Sequence, residues 1–190
     1  MKVSTNNHWD PLEEIIVGRA DYARVPTVDR STMSMSYTNH DIESIKPLEG
    51  AYPQSIIDEA NEDLDTLANT LTELGVKVIR PESMNFQTHD GMYNYCPRDR
   101  FLIYKDHIVD PAMMYPCRDM ERETMWDILQ EADDVRVMPR DQGMVLDAAN
   151  VLRLGKDKML FLESASGNRK AYDWLCEQLP TVDIELCNFY

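Results

Sequence analysis

The stretch that decides the fold is NVLRLGKDKMLFL, residues 150–162, in which a Lys-Asp pair separates two apolar runs. Two apolar runs joined by a short polar break are typical of a β-hairpin. A helical pattern, NRKAYDWLCEQLP, and a run rich in β-branched residues, VDIELC, follow directly. The order strand, strand, helix, strand is therefore predicted for residues 145–190.

The same order occurs twice earlier in the chain. RFLIYKDHIVD repeats the hairpin with its Lys-Asp break, and RDMERETMWDILQEA and VRVMP supply the helix and strand of a unit at residues 95–140. A more divergent unit at 12–82 opens with EEIIVGR, continues with a helix that stops at Gly75, and closes with VKVIRP. The spacing of about 50 residues is in the range of repeat architectures. We predict one α/β domain over residues 1–190, built from these units and incomplete.

Two segments outside the clear pattern receive simpler predictions. The polar stretch from Asp21 to Gly50 has no clear periodicity and is predicted to be an ordered loop. MERETM, residues 120–125, has the composition of a solvent-exposed helix face.

Composition narrows the class of protein. With 190 residues, 43% of them hydrophobic, the chain can bury a sizeable core. No apolar stretch reaches the roughly 18 residues of a membrane helix, and the first residues lack a secretion signal, which predicts a soluble cytoplasmic protein. Four cysteines without a CxxC pair argue against a disulfide framework or zinc site. A net charge of -15 disfavours nucleic acid and membrane as partners and is compatible with a cationic small molecule.

Two aspartates occupy corresponding places ahead of the second and third hairpins. Asp99 lies in CPRDRF and Asp147 in VLDAAN. Each alone is explained by a turn or cap whose backbone N-H groups satisfy the carboxylate. Taken together, repeat symmetry would direct both carboxylates toward one cavity. Such a pair suits a planar guanidinium, which offers N-H donors that carboxylates accept bidentately.

The chain resembles the amidinotransferases of the glycine amidinotransferase type. NNHWDPLEEIIVGRA is similar to the opening motif of that family, and PRDRFLIYKDHIVDPAMM and LDAANVLRLGKDKMLFLESASGN resemble later segments in the right order. The stretch from Asp99 to Asp147 is shorter than in the glycine-type enzymes, and Asn150 stands where they carry a second aspartate. The amine acceptor is therefore left open.

The resemblance implies the pentein fold, a propeller of five strand-strand-helix-strand blades, of which this chain would supply about three. It also implies that Asp99 binds the substrate guanidinium and that Asp147 does so while partnering a catalytic histidine. Tyr93 is a further candidate for the pocket, although an ordinary half-buried tyrosine is an equally good reading. In the family a cysteine thiolate attacks the guanidino carbon of arginine, and an amine acceptor resolves the intermediate without metal or cofactor.

The family's histidine and cysteine motifs are absent from the 190 residues. Cys96, three residues before Asp99, is the nearest thiol, but the family's nucleophile comes from elsewhere. His107 falls on a hairpin strand, where a structural role is expected. The chain is thus predicted to be an inactive N-terminal portion of an arginine amidinotransferase that forms a homodimer or associates with a C-terminal portion. A guanidine hydrolase of the arginine deiminase type, and a non-catalytic guanidino-binding or remnant protein, are the alternatives.

Overall fold

The computed structural model describes residues 3–35, 37–130 and 132–188. The chain divides into two compact units whose segments interleave along the sequence. The N-terminal unit comprises Leu12–Pro97 and Tyr115–Met125; the C-terminal unit comprises the segment before Leu12, Arg98–Met114 and the chain from Trp126 onward. Among the described residues no helix is long and apolar enough to cross a membrane.

The described elements are those of an α/β protein. The first part of the chain contains β1 (Glu14–Ile16), β2 (Arg24–Val25), α1 (Arg30–Met35), α2 (Ile42–Ile45), β3 (Gly50–Ala51), α3 (Gln54–Glu73) and β4 (Lys77–Ile79). The later part contains α4 (Pro97–Arg100), β5 (Leu102–Tyr104), β6 (His107–Asp110), α5 (Trp126–Gln130), β7 (Asp134–Val137), β8 (Val151–Gly155), β9 (Lys158–Glu163), α6 (Arg169–Gln178) and β10 (Asp183–Asn188). Short 3-10 helices occupy Lys46–Leu48, Phe86–Thr88, Pro116–Met125 and Ala148–Asn150.

Helix α3 ends where its glycine stop was predicted. Gly75 adopts a φ of 87°, which a residue without Cβ tolerates. Its N-H bonds the carbonyl of Thr72 at 2.9 Å, and the N-H of Val76 bonds that of Leu71 at 3.0 Å. This pair of bonds is a Schellman motif, and it turns the chain directly into β4, which pairs in parallel with β1.

The segment from Asp21 to Gly50 is more regular than the loop predicted from its composition. Helix α1 forms because Asp29 accepts from the backbone N-H of Thr32 at 2.8 Å and from the hydroxyl of Ser31 at 2.6 Å. Strands β2 and β3 pair antiparallel at the two ends of the segment. The loop prediction is wrong here because side-chain capping, which leaves no hydrophobic period, starts the helix. Ser36 lies outside the described residues.

The residues MERETM are not a solvent-exposed face. They form most of a 3-10 helix, and Glu121, Thr124 and Met125 are buried. Glu121 is 0% exposed because Arg118 forms two hydrogen bonds with it, Nε to Oε1 at 2.6 Å and Nη2 to Oε2 at 3.0 Å. A buried Arg-Glu pair contains the same residue types as a solvent-exposed one, so the sequence alone does not distinguish them. The predicted exposed face is therefore wrong.

The C-terminal unit contains two sheets with one topology. In each, the first two strands pair antiparallel and the third pairs parallel to the second, in the orders β5-β6-β7 and β8-β9-β10. Both hairpins turn at the predicted Lys-Asp pair. Counting from that turn, the Leu102–Val109 pair of the first sheet corresponds to the Leu152–Leu160 pair of the second. The strand-strand-helix-strand order is therefore present in the two repeats that contain β5–β7 and β8–β10. In the first of them, part of the helix predicted at 118–132 is in 3-10 form.

The first residues of the chain join the two hairpins of the C-terminal unit. Thr5 exchanges backbone hydrogen bonds with Lys105 at 2.7 and 3.2 Å, and Asn7 forms a bridge with Leu154. Arg153 crosses between them, donating to the carbonyl of Ile103 at 2.8 Å. The segment therefore satisfies backbone groups at the edge strands of both sheets.

One hydrophobic core serves both sheets of the C-terminal unit. It includes Leu102, Tyr104 and Val109 from the first sheet, Val151, Met159 and Phe161 from the second, and Ala171, Trp174 and Leu175 from α6. Arg136 of β7 donates to the carbonyl of Gln178 at the end of α6. The first sheet therefore packs against the helix that belongs to the following repeat.

A buried ionic cluster ties α4 to the end of the first hairpin. Arg100 and Asp110 are 0% and 1% exposed, and their Nη1 and Oδ1 atoms lie 2.6 Å apart. The guanidinium of Arg140 reaches the same carboxylate at 3.0 Å. The cluster fixes the turn that carries Asp99, the residue before Arg100.

We expect Asp110→Asn to destabilise the chain by about 3–5 kcal/mol, because it leaves the buried Arg100 facing a neutral group. Asp157→Asn removes an exposed carboxylate 3.1 Å from Lys105 and should cost less than about 1 kcal/mol. Urea unfolding followed by circular dichroism measures both. Equal losses for the two variants would contradict this account.

Candidate functional site

The two aspartates singled out from the sequence lie in equivalent local structures. Asp99 is in α4, the short helical turn that precedes β5, and Asp147 caps the 3-10 turn Ala148–Asn150 that precedes β8. Both side chains are half-buried and belong to the C-terminal unit. A helical turn before the first strand of each hairpin therefore carries one carboxylate, with Asp99 inside its turn and Asp147 at the N-cap of the other.

Asp147 is held by its own turn. Its Oδ1 accepts from the backbone N-H of Ala149 at 2.9 Å, and its N-H donates to the carbonyl of Ser166 at 2.7 Å. Capping of this kind restricts the side chain to a narrow range of orientations. Asp147 can cap this turn and also bind a guanidinium, because a carboxylate accepts several hydrogen bonds on its two oxygens.

One guanidinium of the protein lies within electrostatic range of both carboxylates. Burial lowers the pKa of Arg98, and the charges of Asp99 and Asp147 both act in the opposite direction. Arg98 Nη2 donates to the carbonyl of Val151 at 3.1 Å, at the start of β8. Arg98, in the turn of one repeat, thus has its pKa raised by acidic side chains from two repeats.

Further positive charge lies beside Arg98. Burial and, to a smaller extent, the charge of Arg98 lower the pKa of Arg153 to about 10. His8 lies against Arg153, with Nε2 3.1 Å from the backbone nitrogen and Nδ1 3.1 Å from Nη2. Burial, Arg153 and Arg98 together lower the pKa of His8, so this imidazole is neutral at pH 7. Arg153 and His8 are therefore within electrostatic range of Arg98, the arginine that both acids influence.

Tyr93 belongs to the N-terminal unit, in an aromatic and ionic cluster of its own. Its ring stacks on Tyr95 with centroids 4.1 Å apart, and the guanidinium of Arg118 lies 5.3 Å from its centroid. Burial raises the pKa of Tyr93, which keeps the hydroxyl protonated at physiological pH. Its part in a substrate pocket stays a prediction.

The cysteines and histidines have identifiable surroundings. Cys96 is half-buried beside Tyr95. Burial raises the pKa of Cys117 to about 12, which makes it a poor nucleophile. His107 lies on β6, as predicted, and its Nδ1 is 2.6 Å from Oδ2 of Asp134 on the neighbouring strand. That aspartate also contacts Arg136, so His107 is part of a polar contact between neighbouring strands.

Sequence reasoning missed the charge of Arg98 near the acids, and it missed the buried pairs Arg100–Asp110 and Arg118–Glu121. Arg98 and Arg100 flank Asp99 in the sequence PRDR, and this alternation was the signal available for both. Arg118 and Glu121 are three residues apart, the spacing of a helical ion pair. Within the described parts of the chain no cluster of three or more His, Cys, Asp or Glu side chains could hold a metal ion.

Comparison with known proteins identifies relatives of the chain. It is 38% identical over 206 residues to inosamine-phosphate amidinotransferase 1 of Streptomyces griseus, covering 91% of this chain and 58% of the relative. The structure of the inosamine-phosphate amidinotransferase from S. griseus superimposes with a TM-score of 0.88 at 35% identity, covering 97% of this chain and 62% of that one. Mitochondrial glycine amidinotransferase of Xenopus tropicalis is 33% identical over 127 residues, covering 63% of this chain and 30% of the relative.

The likeness extends at fold level to more distant proteins. Dimethylarginine dimethylaminohydrolase of Pseudomonas aeruginosa superimposes with a TM-score of 0.64 at 15% identity. It shares the pentein fold, and at that identity it shows the fold alone. No family model matches the chain. The matches confirm the resemblance inferred from the sequence, and the chain spans about three fifths of the length of the S. griseus relative.

We expect Cys117 in the folded chain to react with iodoacetamide at pH 8 more than about 100-fold slower than in urea, because a pKa of about 12 leaves almost no thiolate. Mass spectrometry of tryptic peptides after timed alkylation measures this rate. Comparable rates in the folded and unfolded chain would show that the thiol is accessible and ionisable.

Proposed function

We propose that this chain, a relative of the inosamine-phosphate and glycine amidinotransferases, supplies the guanidinium-binding carboxylates of an amidino transfer from arginine to an amine. Asp99 and Asp147 are the binding residues, and Tyr93 lines the pocket. The observation that carries the proposal is that Asp99 and Asp147 lie in the helical turns ahead of two adjacent hairpins, where the charges of both raise the pKa of one guanidinium, that of Arg98. A substrate guanidinium in the same neighbourhood would experience both charges.

The chemistry of the two acids suits binding and orientation. Carboxylates at two sides of a planar guanidinium fix its plane and leave its carbon open to attack from above. Asp147, held by the Ala149 N-H, is pre-organised for this. In the complete reaction it would also hold the catalytic histidine, as the family resemblance implies.

The covalent step needs groups other than these carboxylates. A cysteine thiolate forms a bond to the guanidino carbon, the bond from that carbon to the ornithine nitrogen breaks, and a histidine gives the departing amine its proton. An acceptor amine then attacks the amidino-cysteine and restores the thiol. Cys117, with its raised pKa, is unsuited to the first step.

The arrangement of the repeats is part of the proposal. We assign residues 12–82, 95–140 and 145–190 to three blades of one incomplete propeller. The remaining blades would supply the histidine and cysteine, which makes the whole site an assembly of this chain with further units. The proposal places the protein in the cytoplasm, where arginine is available.

We expect the 190-residue chain alone to release neither ornithine nor citrulline from arginine. Mixed with the part of the S. griseus relative that follows the matched region, and supplied with glycine or an inosamine phosphate, it should release ornithine. Asp99→Asn and Asp147→Asn should each reduce that release by about 100-fold or more. Asp141→Asn, which changes an exposed loop carboxylate, is the matched control and should have no effect.

The products distinguish the candidate functions. Ornithine with an amidinated amine identifies a transferase, and citrulline identifies a guanidine hydrolase. Arginine binding without either product, in the chain and in the mixture, identifies a non-catalytic guanidino-binding protein. Ornithine release by the chain alone, abolished by Cys96→Ala, would contradict the assignment of the nucleophile to another part of the enzyme.

A further inference from the structure

Arg153 of β8 directs the two ends of its guanidinium at different kinds of group. Nη1 donates to the carbonyl of Ile103 at 2.8 Å and to the hydroxyl oxygen of Thr5 at 3.4 Å. Nη2 instead faces Nδ1 of His8 at 3.1 Å. The Nη1 contacts join β8 to the first hairpin and to the start of the chain, so they account for only one end of the side chain.

The imidazole of His8 does not accept a hydrogen bond from Nη2. The backbone N-H of Arg153 points at Nε2 of the same ring at 3.1 Å, and a backbone N-H always donates, so Nε2 is the acceptor. A neutral imidazole has one acceptor nitrogen, which leaves the proton on Nδ1. Nδ1-H and Nη2-H are therefore two donors that face each other across 3.1 Å. An oxygen atom beside both of them would accept from both.

The positive charge of Arg153 is not balanced by a carboxylate. Among the described residues no acid forms an ion pair with it, and burial and the charge of Arg98 both lower its pKa. Arg98 differs, because the charges of Asp99 and Asp147 act on it in the opposite direction. In a chain with a net charge of -15, a guanidinium without an acid partner is a favourable place for an anion.

We infer that Arg153 and His8 form a binding site for an oxyanion of the phosphate type, either inorganic phosphate or the phosphate group of a small monoester. One oxygen accepts from Nδ1-H of His8 and from Nη2-H of Arg153, and the negative charge meets the guanidinium. A phosphate group has three acceptor oxygens and a charge of about -1.5 to -2 at pH 7. It therefore gains more from donors on two separate side chains than a carboxylate does. The inference does not rest on amidino transfer.

The chain holds the imidazole in place before any anion binds. Oδ1 of Asn7 accepts from the backbone N-H groups of Trp9 at 3.0 Å and Asp10 at 2.8 Å, which fixes the turn that carries His8. His8 itself is exposed, so an anion reaches Nδ1 from solvent. Binding therefore needs little ordering of the protein, and an occupied site stabilises the attachment of the first residues of the chain to β8.

The test is NMR of the histidine ring nitrogens in the isotope-labelled 190-residue chain during titration with inorganic phosphate at pH 7. Ionic strength is held constant, because salt alone screens the charges of the chain. The chain has four histidines, and the His8→Ala variant identifies the signals of His8. We expect these signals to shift saturably with phosphate. Arg153→Gln should raise the dissociation constant at least tenfold, because the variant loses the charged donor.

Arg169→Gln is the matched control. Arg169 is an exposed arginine of α6 that pairs with Asp173, and its loss should leave the dissociation constant unchanged. Circular dichroism checks that both variants fold. If Arg153→Gln does not fold, His8→Leu, a change at an exposed position, replaces it and should raise the constant measured by calorimetry at least tenfold. The inference is overturned by an unchanged constant in the folded variant, or by a His8 shift that chloride reproduces at the same ionic strength.

Two further ligands define the class of anion. Tighter binding of glycerol phosphate than of inorganic phosphate assigns the site to phosphate monoesters, and equal or weaker binding assigns it to free phosphate. Acetate bound as tightly as phosphate would contradict the assignment to phosphate-type oxyanions.

Discussion

Burial of α6 against two sheet faces is the interaction on which the C-terminal unit depends. The helix contributes Ala171, Trp174 and Leu175 to a core that includes residues of its own sheet and of the preceding one. The first sheet is therefore covered in part by the helix of the following repeat. The side chain of Arg136 also donates a hydrogen bond to the carbonyl of Gln178 at the end of α6.

That packing positions the candidate site. The two hairpins are fixed relative to each other by the shared core and by the first residues of the chain, which bond to both. Asp99 and Asp147 occupy the helical turns that lead into these hairpins. The buried pair of Arg100 with Asp110 anchors the first turn, and the cap on Ala149 anchors the second. The proposed pair of carboxylates thus depends on contacts that are themselves structural.

The sequence predicted the parts of the fold that leave a periodic signal. The Lys-Asp hairpins, the glycine stop of α3 and the presence of the closing strands all follow from local pattern and turn chemistry. The misassigned regions have a common cause. Asp29 starts a helix by capping, and Glu121 is buried by pairing with Arg118, and neither event changes the hydrophobic pattern. The positions of Asp99 and Asp147 were predictable from the repeat, whereas the role of Arg98 required the fold, because its charged neighbour Asp147 is distant in sequence.

The most direct test of the account is whether Asp99 and Asp147 respond to one guanidinium. Carbon-detected NMR of the two side-chain carboxyl carbons, during titration of the chain with arginine, reports on both residues at once. The account predicts that both signals shift with a single dissociation constant and that Asp99→Asn weakens the response at Asp147. Different constants for the two carboxylates, or an unchanged response at Asp147 in the Asp99→Asn variant, would contradict a shared site.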